Sequence, residues 1–125
     1  MIDHVGVNVS NYETSKHFFE ETLGPLGYRV VMDFPQFEAA GFGTEEHKPE
    51  LWVAARDPRG TGTHVAFQVA DRASVDAFHA AALSAGGTDN GSAGVREHYH
   101  PNYYAAFVLD PDGNNIEAVC HDAST

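Results

Sequence analysis

Two histidines and two glutamates are the residues best placed to do chemistry. His4 opens His4-Val5-Gly6-Val7-Asn8-Val9, and His64 opens His64-Val65-Ala66-Phe67-Gln68-Val69. Sixty positions separate them, and the same offset pairs Val5 with Val65, Phe18 with Phe78, Leu23 with Leu83 and Gly27 with Gly87. Glu50 begins Glu50-Leu51-Trp52-Val53 and Glu117 lies in Ile116-Glu117-Ala118-Val119. Their places in the two halves read as corresponding, with an offset of 67 and the extra seven residues absorbed in a longer second-half loop. Ile116, Ala118 and Cys120 define an apolar face, so Glu117 points the other way, with Val119 and His121. A lone carboxylate facing inward is costly. Two imidazoles and two carboxylates converging from a duplicated unit would be satisfied by a divalent metal. That mixed set suits Zn, Ni, Co, Mn or Fe(II) far better than Ca. Taken singly, a histidine at a strand start is more often a hydrogen-bonded rim residue, and Glu50, next to Pro49, reads equally well as a solvated strand end. Packing has no need of His twice and Glu twice, and that recurrence favours the ligand reading.

The elements that must position these groups follow from local pattern. Both histidine segments alternate with period two, the mark of a half-buried strand. Residues 2–9 form the first strand, Ser10-Asn11-Tyr12-Glu13 has the spacing of a capping box, and a helix follows with Tyr12, Phe18, Phe19, Thr22, Leu23 and Leu26 inward. Gly24-Pro25 and Gly27 end it. Strands are expected at Tyr28–Asp33, Gln36–Phe42 and Glu50–Ala55. Asp57-Pro58-Arg59-Gly60-Thr61-Gly62 is dense in turn formers and is the expected junction. The order then repeats: a strand at 63–69, a helix capped by Asp71 with Val75, Phe78, Ala82 and Ala85 inward, and an end at Gly86-Gly87. Asp89–Gly94 reads as a loop, Val95–Pro101 as at best a short strand, and Tyr103–Leu109 as a strand. Asp110-Pro111-Asp112-Gly113 then closes a hairpin onto Asn115–His121. The expected class is α+β, one domain over residues 1–125 built from two βαβββ modules at about 1–57 and 62–122.

Composition bounds the partners. The chain has 125 residues, 42% of them hydrophobic, enough for a packed core. Its formal charge of −11, from 18 acidic against 7 basic residues, repels phosphate backbones and anionic membranes, so neither nucleic acid nor membrane is an expected partner. A single cysteine, Cys120, excludes an internal disulfide and reads as a packed, inert thiol in a reducing compartment. No apolar run approaches the roughly 20 residues of a membrane span, and a cytoplasmic protein is expected.

The double βαβββ order, with DHVGVNV, PELWVAA, THVAFQVAD and LDPDGNNIEAV at these places, resembles the vicinal oxygen chelate superfamily. This is the group of glyoxalase I, bleomycin-resistance proteins and type I extradiol dioxygenases. The resemblance covers nearly the whole chain, and its most specific part is the DPDG hairpin before the strand that carries Glu117. It implies metal ligands at His4, Glu50, His64 and Glu117, in a cup between two half-barrels. It implies Glu117 or Glu50 as the base that moves a proton, and a homodimer. Trp52, Asn8 and Gln68 would line the cup. His98, His100, Tyr103 and Tyr104, with Tyr99, would lie where a second-half loop covers the opening and contact a small-molecule substrate. His17, His47 and His79 read as surface residues.

The resemblance implies a metal-dependent lyase or isomerase of glyoxalase type acting on a small molecule with vicinal oxygens. The seven basic residues form no cluster to hold the carboxylates of glutathione, which argues against a glutathione adduct. The alternatives are a metal-free binding protein of the drug-sequestering kind, gripping an aromatic compound through Trp52 and the tyrosines, and an Fe(II) extradiol dioxygenase. The latter uses two His and one Glu, so Glu50 on the metal would crowd the place needed for oxygen.

Overall fold

The computed structural model describes residues 2–56 and 63–123, so the expected junction at 57–62 lies outside the described residues. The chain forms β1 (Val5–Val9), α1 (Tyr12–Leu23), β2 (Arg29–Phe34), β3 (Ala39–Gly43) and β4 (Leu51–Ala55). It then repeats that order as β5 (His64–Gln68), α2 (Arg72–Ser84), β6 (Thr88–Val95), β7 (Tyr104–Leu109) and β8 (Asn115–Cys120). Each half is a four-stranded mixed sheet, ordered β1-β4-β3-β2 and β5-β8-β7-β6. The β1/β4 and β5/β8 pairs are parallel and the rest antiparallel. Two such sheets with one helix each give the α+β class expected from the pattern.

Alternation along the strands decides which face is free. Val7 and Val9 of β1 and Phe67 of β5 are buried in the core, while Gly6, Asn8, His64, Ala66 and Gln68 are exposed on the opposite face. The buried residues of both halves make one cluster that includes Phe18, Phe19, Phe42, Phe67, Phe78 and Ile116. The modules meet through α1 and α2. At that crossing a Cβ on Gly87 would stand 2.7 Å from Phe18 Cε1 and 2.9 Å from the Ala82 carbonyl, so only glycine admits the approach. Tyr28 packs edge-on against Phe67 across the same boundary, with ring centroids 5.2 Å apart. Among the described residues no helix is long and apolar enough to cross a membrane.

Several local expectations are corrected. The cap of α1 is Asn11, whose side chain accepts from the Thr14 amide at 2.9 Å, and not Ser10, whose own amide donates to Asp112 at 3.1 Å. The segment at 36–42 is not one strand: Pro35–Phe37 is a 3-10 turn, Glu38 takes a left-handed φ of 51°, and β3 begins at Ala39. Asp89–Gly94 is strand, not loop. It belongs to β6 at the sheet edge, where exposure removes the apolar alternation that sequence reasoning needs, and its register slips twice against β7. Arg96 holds that slipped segment by donating to the Ser92 and Gly94 carbonyls at 2.7 and 2.9 Å. His79 is not a free surface residue; its Nε2 lies 2.9 Å from Asp89 Oδ1.

The 110–114 turn matches expectation and shows how it is held. Asp110 is buried, and its carboxylate accepts from the Asp112 amide at 2.9 Å, the Asn114 amide at 2.7 Å and Asn114 Nδ2 at 2.8 Å. Asn114 Oδ1 in turn accepts from the Thr63 amide at 2.9 Å, which fixes the entry to β5 beside β8. Burial pushes the Asp110 carboxyl above the usual range despite the bonds that pull it down.

Candidate metal and ligand site

Strand register decides which side chains are equivalent in the repeat. Val5 pairs with Leu51 and Gly6 with Trp52 in the first module; His64 pairs with Asn115 and Ala66 with Glu117 in the second. Because Gly6 corresponds to Ala66, the counterpart of Glu117 is Trp52, and the counterpart of Glu50 is Asn115. The expected equivalence of Glu50 and Glu117 is therefore wrong by one pleat. Glu50 shares Trp52's face but stands two residues earlier, exposed just ahead of β4, where its Oε1 accepts from Tyr28 Oη at 2.8 Å. Burial and that carboxylate raise the Tyr28 hydroxyl's pKa, so it remains a donor.

The second module carries the tighter constellation. Glu117 is 2% exposed. Its Oε1 lies 3.1 Å from His64 Nε2, and its Oε2 accepts from Tyr103 Oη at 2.5 Å. His64 Nδ1 lies 3.0 Å from the Asn115 carbonyl, which can only accept, so Nδ1 carries the hydrogen and Nε2 is the nitrogen aimed at the carboxylate. Burial and Glu117 push the Tyr103 hydroxyl up to about 12. Phe107, opposite Glu117 on β7, stacks on the His64 ring at 6.3 Å between centroids.

His4 lies apart from this pair, with its Nδ1 2.7 Å from Asp3 in solvent. Among the described residues no three His, Cys, Asp or Glu side chains are grouped closely enough to hold a metal, so the four expected ligands do not converge within one chain. His4 and Glu50 border two clefts. One, of about 610 Å3, lies on the first module and is lined by Met32, Pro49 and Trp52 among others. The second is a groove shared with Tyr28 and residues Val65 to Gln68 of β5. Trp52 stacks on Phe34 at 6.1 Å with 10° between planes, and rests over Gly41, where a Cβ would stand 3.2 Å from the indole.

The other expected contacts divide. Gln68 lines the groove, and Asn8 is exposed on the same face of β1 as Gly6. His98 lies tilted against Tyr99 at 4.2 Å between centroids, and His100 Nε2 lies 2.8 Å from His121 Nδ1. Tyr104 is a correction. Its hydroxyl donates to Asp76 of α2 at 2.6 Å and Arg72 lies over its ring, so it ties helix to sheet on the face away from Glu117. Tyr28, Phe34, Phe107 and His121 were missed. For His121 the signal was present: it stands four residues after Glu117, on the same side of the strand pattern.

The model of the Glyoxalase/Bleomycin resistance protein/Dioxygenase superfamily matches residues 1–118. The chain belongs to this superfamily. Among solved structures, this superfamily member is similar to a glyoxalase/bleomycin resistance protein from Albidiferax ferrireducens, at 27% identity and a TM-score of 0.79, over 94% of this chain and 97% of that one. A glyoxalase-related enzyme from Fulvimarina pelagi aligns at 19% identity and TM-score 0.72, over 96% and 87% of the two chains. A mutant glyoxalase I from Zea mays aligns at 22% and 0.67 over 94% of this chain but 46% of its own. The last two similarities speak to fold alone. No curated protein matches.

Proposed function

We propose that this superfamily member is a divalent-metal-dependent enzyme of glyoxalase type, acting on a small molecule with oxygens on adjacent carbons. One observation carries the reading: His64 spends its Nδ1 hydrogen on the Asn115 carbonyl and aims Nε2 at Glu117 Oε1, 3.1 Å away. A histidine ligand is ordinarily held in this way by its other nitrogen. Donors about 2.0–2.2 Å from one ion, at angles between square and tetrahedral, stand about 2.8–3.6 Å apart, so the pair fits a shared cation. When bound, the ion would act as a Lewis acid on substrate oxygen. His4 is the third donor. Since it lies apart from the pair within one chain, the reading takes it from a second copy in a homodimer.

The remaining residues bind and move protons. On this reading one Glu117 oxygen is committed to the cation beside His64 and the other to Tyr103, whereas Glu50 has one oxygen on Tyr28 and borders both clefts, which suits it to accept a proton from bound substrate. Trp52 and Met32 give the substrate an apolar wall. The formal charge of −11 disfavours polyanionic substrates, glutathione adducts among them. The buried Cys120 thiol accords with a reducing cytoplasm.

The test is metal analysis of protein purified without chelator: about one divalent ion per chain, lost in His64→Ala. Full ligand binding by metal-free protein would instead support the sequestering alternative. The engagement of Glu50 by Tyr28 favours a second reading, Fe(II)-dependent ring cleavage, because the carboxylate expected to crowd oxygen is held elsewhere. Anaerobic reconstitution with Fe(II), followed by air and catechol, separates the two by the absorbance of the ring-opened product.

A further inference from the structure

We propose that Tyr103 is a positioning residue that fixes which oxygen of Glu117 faces a bound cation; this rests on the reading of Glu117 as a ligand. A free carboxylate turns about its last bond and offers either oxygen or both. Here Tyr103 Oη holds Oε2 at 2.5 Å, which leaves Oε1 turned toward His64 Nε2. Glu117 is buried, its side chain 3% exposed, so water has little access to replace that donor. The sequence suggests Tyr103 as a substrate contact, but its hydroxyl is already spent on Glu117.

Tyr103 is itself clamped by rings. Tyr99 lies against it at 4.7 Å between centroids, and His100 and His121 meet it edge-on, each at 5.4 Å. The histidine pair is locked by the backbone. The Asn102 amide donates to His100 Nδ1 at 3.0 Å, so that nitrogen carries no hydrogen and the neutral ring bears it on Nε2, facing His121 Nδ1 at 2.8 Å. The same assignment removes these two facing nitrogens as ligands of a second metal, because one holds a hydrogen and the other accepts it. The pair therefore acts as a buttress behind Tyr103.

The experiment compares Zn2+ affinity of the metal-stripped full chain, by competition with a chromophoric chelator, and the visible spectrum of the Co2+-loaded protein. Tyr103→Phe removes only the hydroxyl and is expected to weaken Zn2+ binding about 10- to 100-fold, the usual effect of losing a partner behind a ligand, and to shift the Co2+ bands. Tyr99→Phe should stay within about threefold of wild type, and His121→Ala, which opens the clamp but keeps the hydroxyl, should fall between. Should Tyr103→Phe fail to fold by circular dichroism, His121→Ala carries the test through the same two readouts. Wild-type affinity and spectrum in Tyr103→Phe, or in His121→Ala where that is the variant tested, would overturn the proposal while leaving the metal reading intact. A wild-type chain that takes up neither ion would overturn the metal reading itself.

Discussion

At the scale of single residues, the decisive observation is a register. Glu50 and Glu117 have the same chemistry and similar neighbours, yet pairing of β1 with β4 and of β5 with β8 sets Trp52, not Glu50, opposite Glu117 in the repeat. Side chains two residues apart share a face of a strand, so the alternation that turned both glutamates away from the helix-covered face could not say which pleat each occupied. Trp52 pays for its place in space taken from its neighbours: a Cβ on Gly41 would lie 2.7 Å from Pro49 Cβ and 3.2 Å from the indole. Gly41→Ala is expected to destabilise by about 1–3 kcal/mol through overpacking. Urea unfolding followed by fluorescence checks it, and since Trp52 is the only tryptophan, the signal reports that site directly.

At the scale of elements, helix ends and strand edges were the least legible. Ser10 and Asn11 are both good caps, and sequence alone favoured Ser10 because Glu13 follows at capping-box spacing. The structure gives the role to Asn11 because the Ser10 amide is drawn to Asp112 of the second module. Asn11→Ala should cost about 1 kcal/mol, and Ser10→Ala less than about 0.5, in chemical denaturation.

The tie between α1 and β2 titrates. Burial raises the Asp33 carboxyl, but hydrogen bonds from Lys16, at 2.7 Å, and from Tyr12 outweigh it and hold the group below its ordinary value. A carboxyl lowered in the folded state stabilises the fold above the unfolded pKa of about 4, and that contribution is lost as pH falls through the folded value. Lys16→Met should therefore lower stability at pH 7 by about 0.5–1 kcal/mol and flatten its fall below pH 4, as read from unfolding midpoints across pH.

At the scale of the whole molecule, the duplication was legible because both halves repeat the same alternation and the same helix faces, which packing enforces: Phe18 and Phe78 are both fully buried. The 110–114 turn was legible because its residues hydrogen-bond to one another locally. Convergence of the site was not, since it depends on how the modules approach, and Phe18 of α1 meets the second module at Gly87, just past the end of α2, a contact with no local signature. Tyr104 shows the same limit. Its neighbour Tyr103 faces Glu117, while Tyr104 turns to Asp76 on the helix side, and only the strand's exact start separates the two.

On the proposed reading, His64 and Glu117 of the second module hold the cation and Glu50 does not. Parallel Zn2+ titrations of metal-stripped Glu117→Gln and Glu50→Gln test it most directly. Glu117→Gln is expected to lose at least about 100-fold in affinity while Glu50→Gln stays within about threefold of wild type. Equal losses in the two variants, or a loss confined to Glu50→Gln, would contradict it.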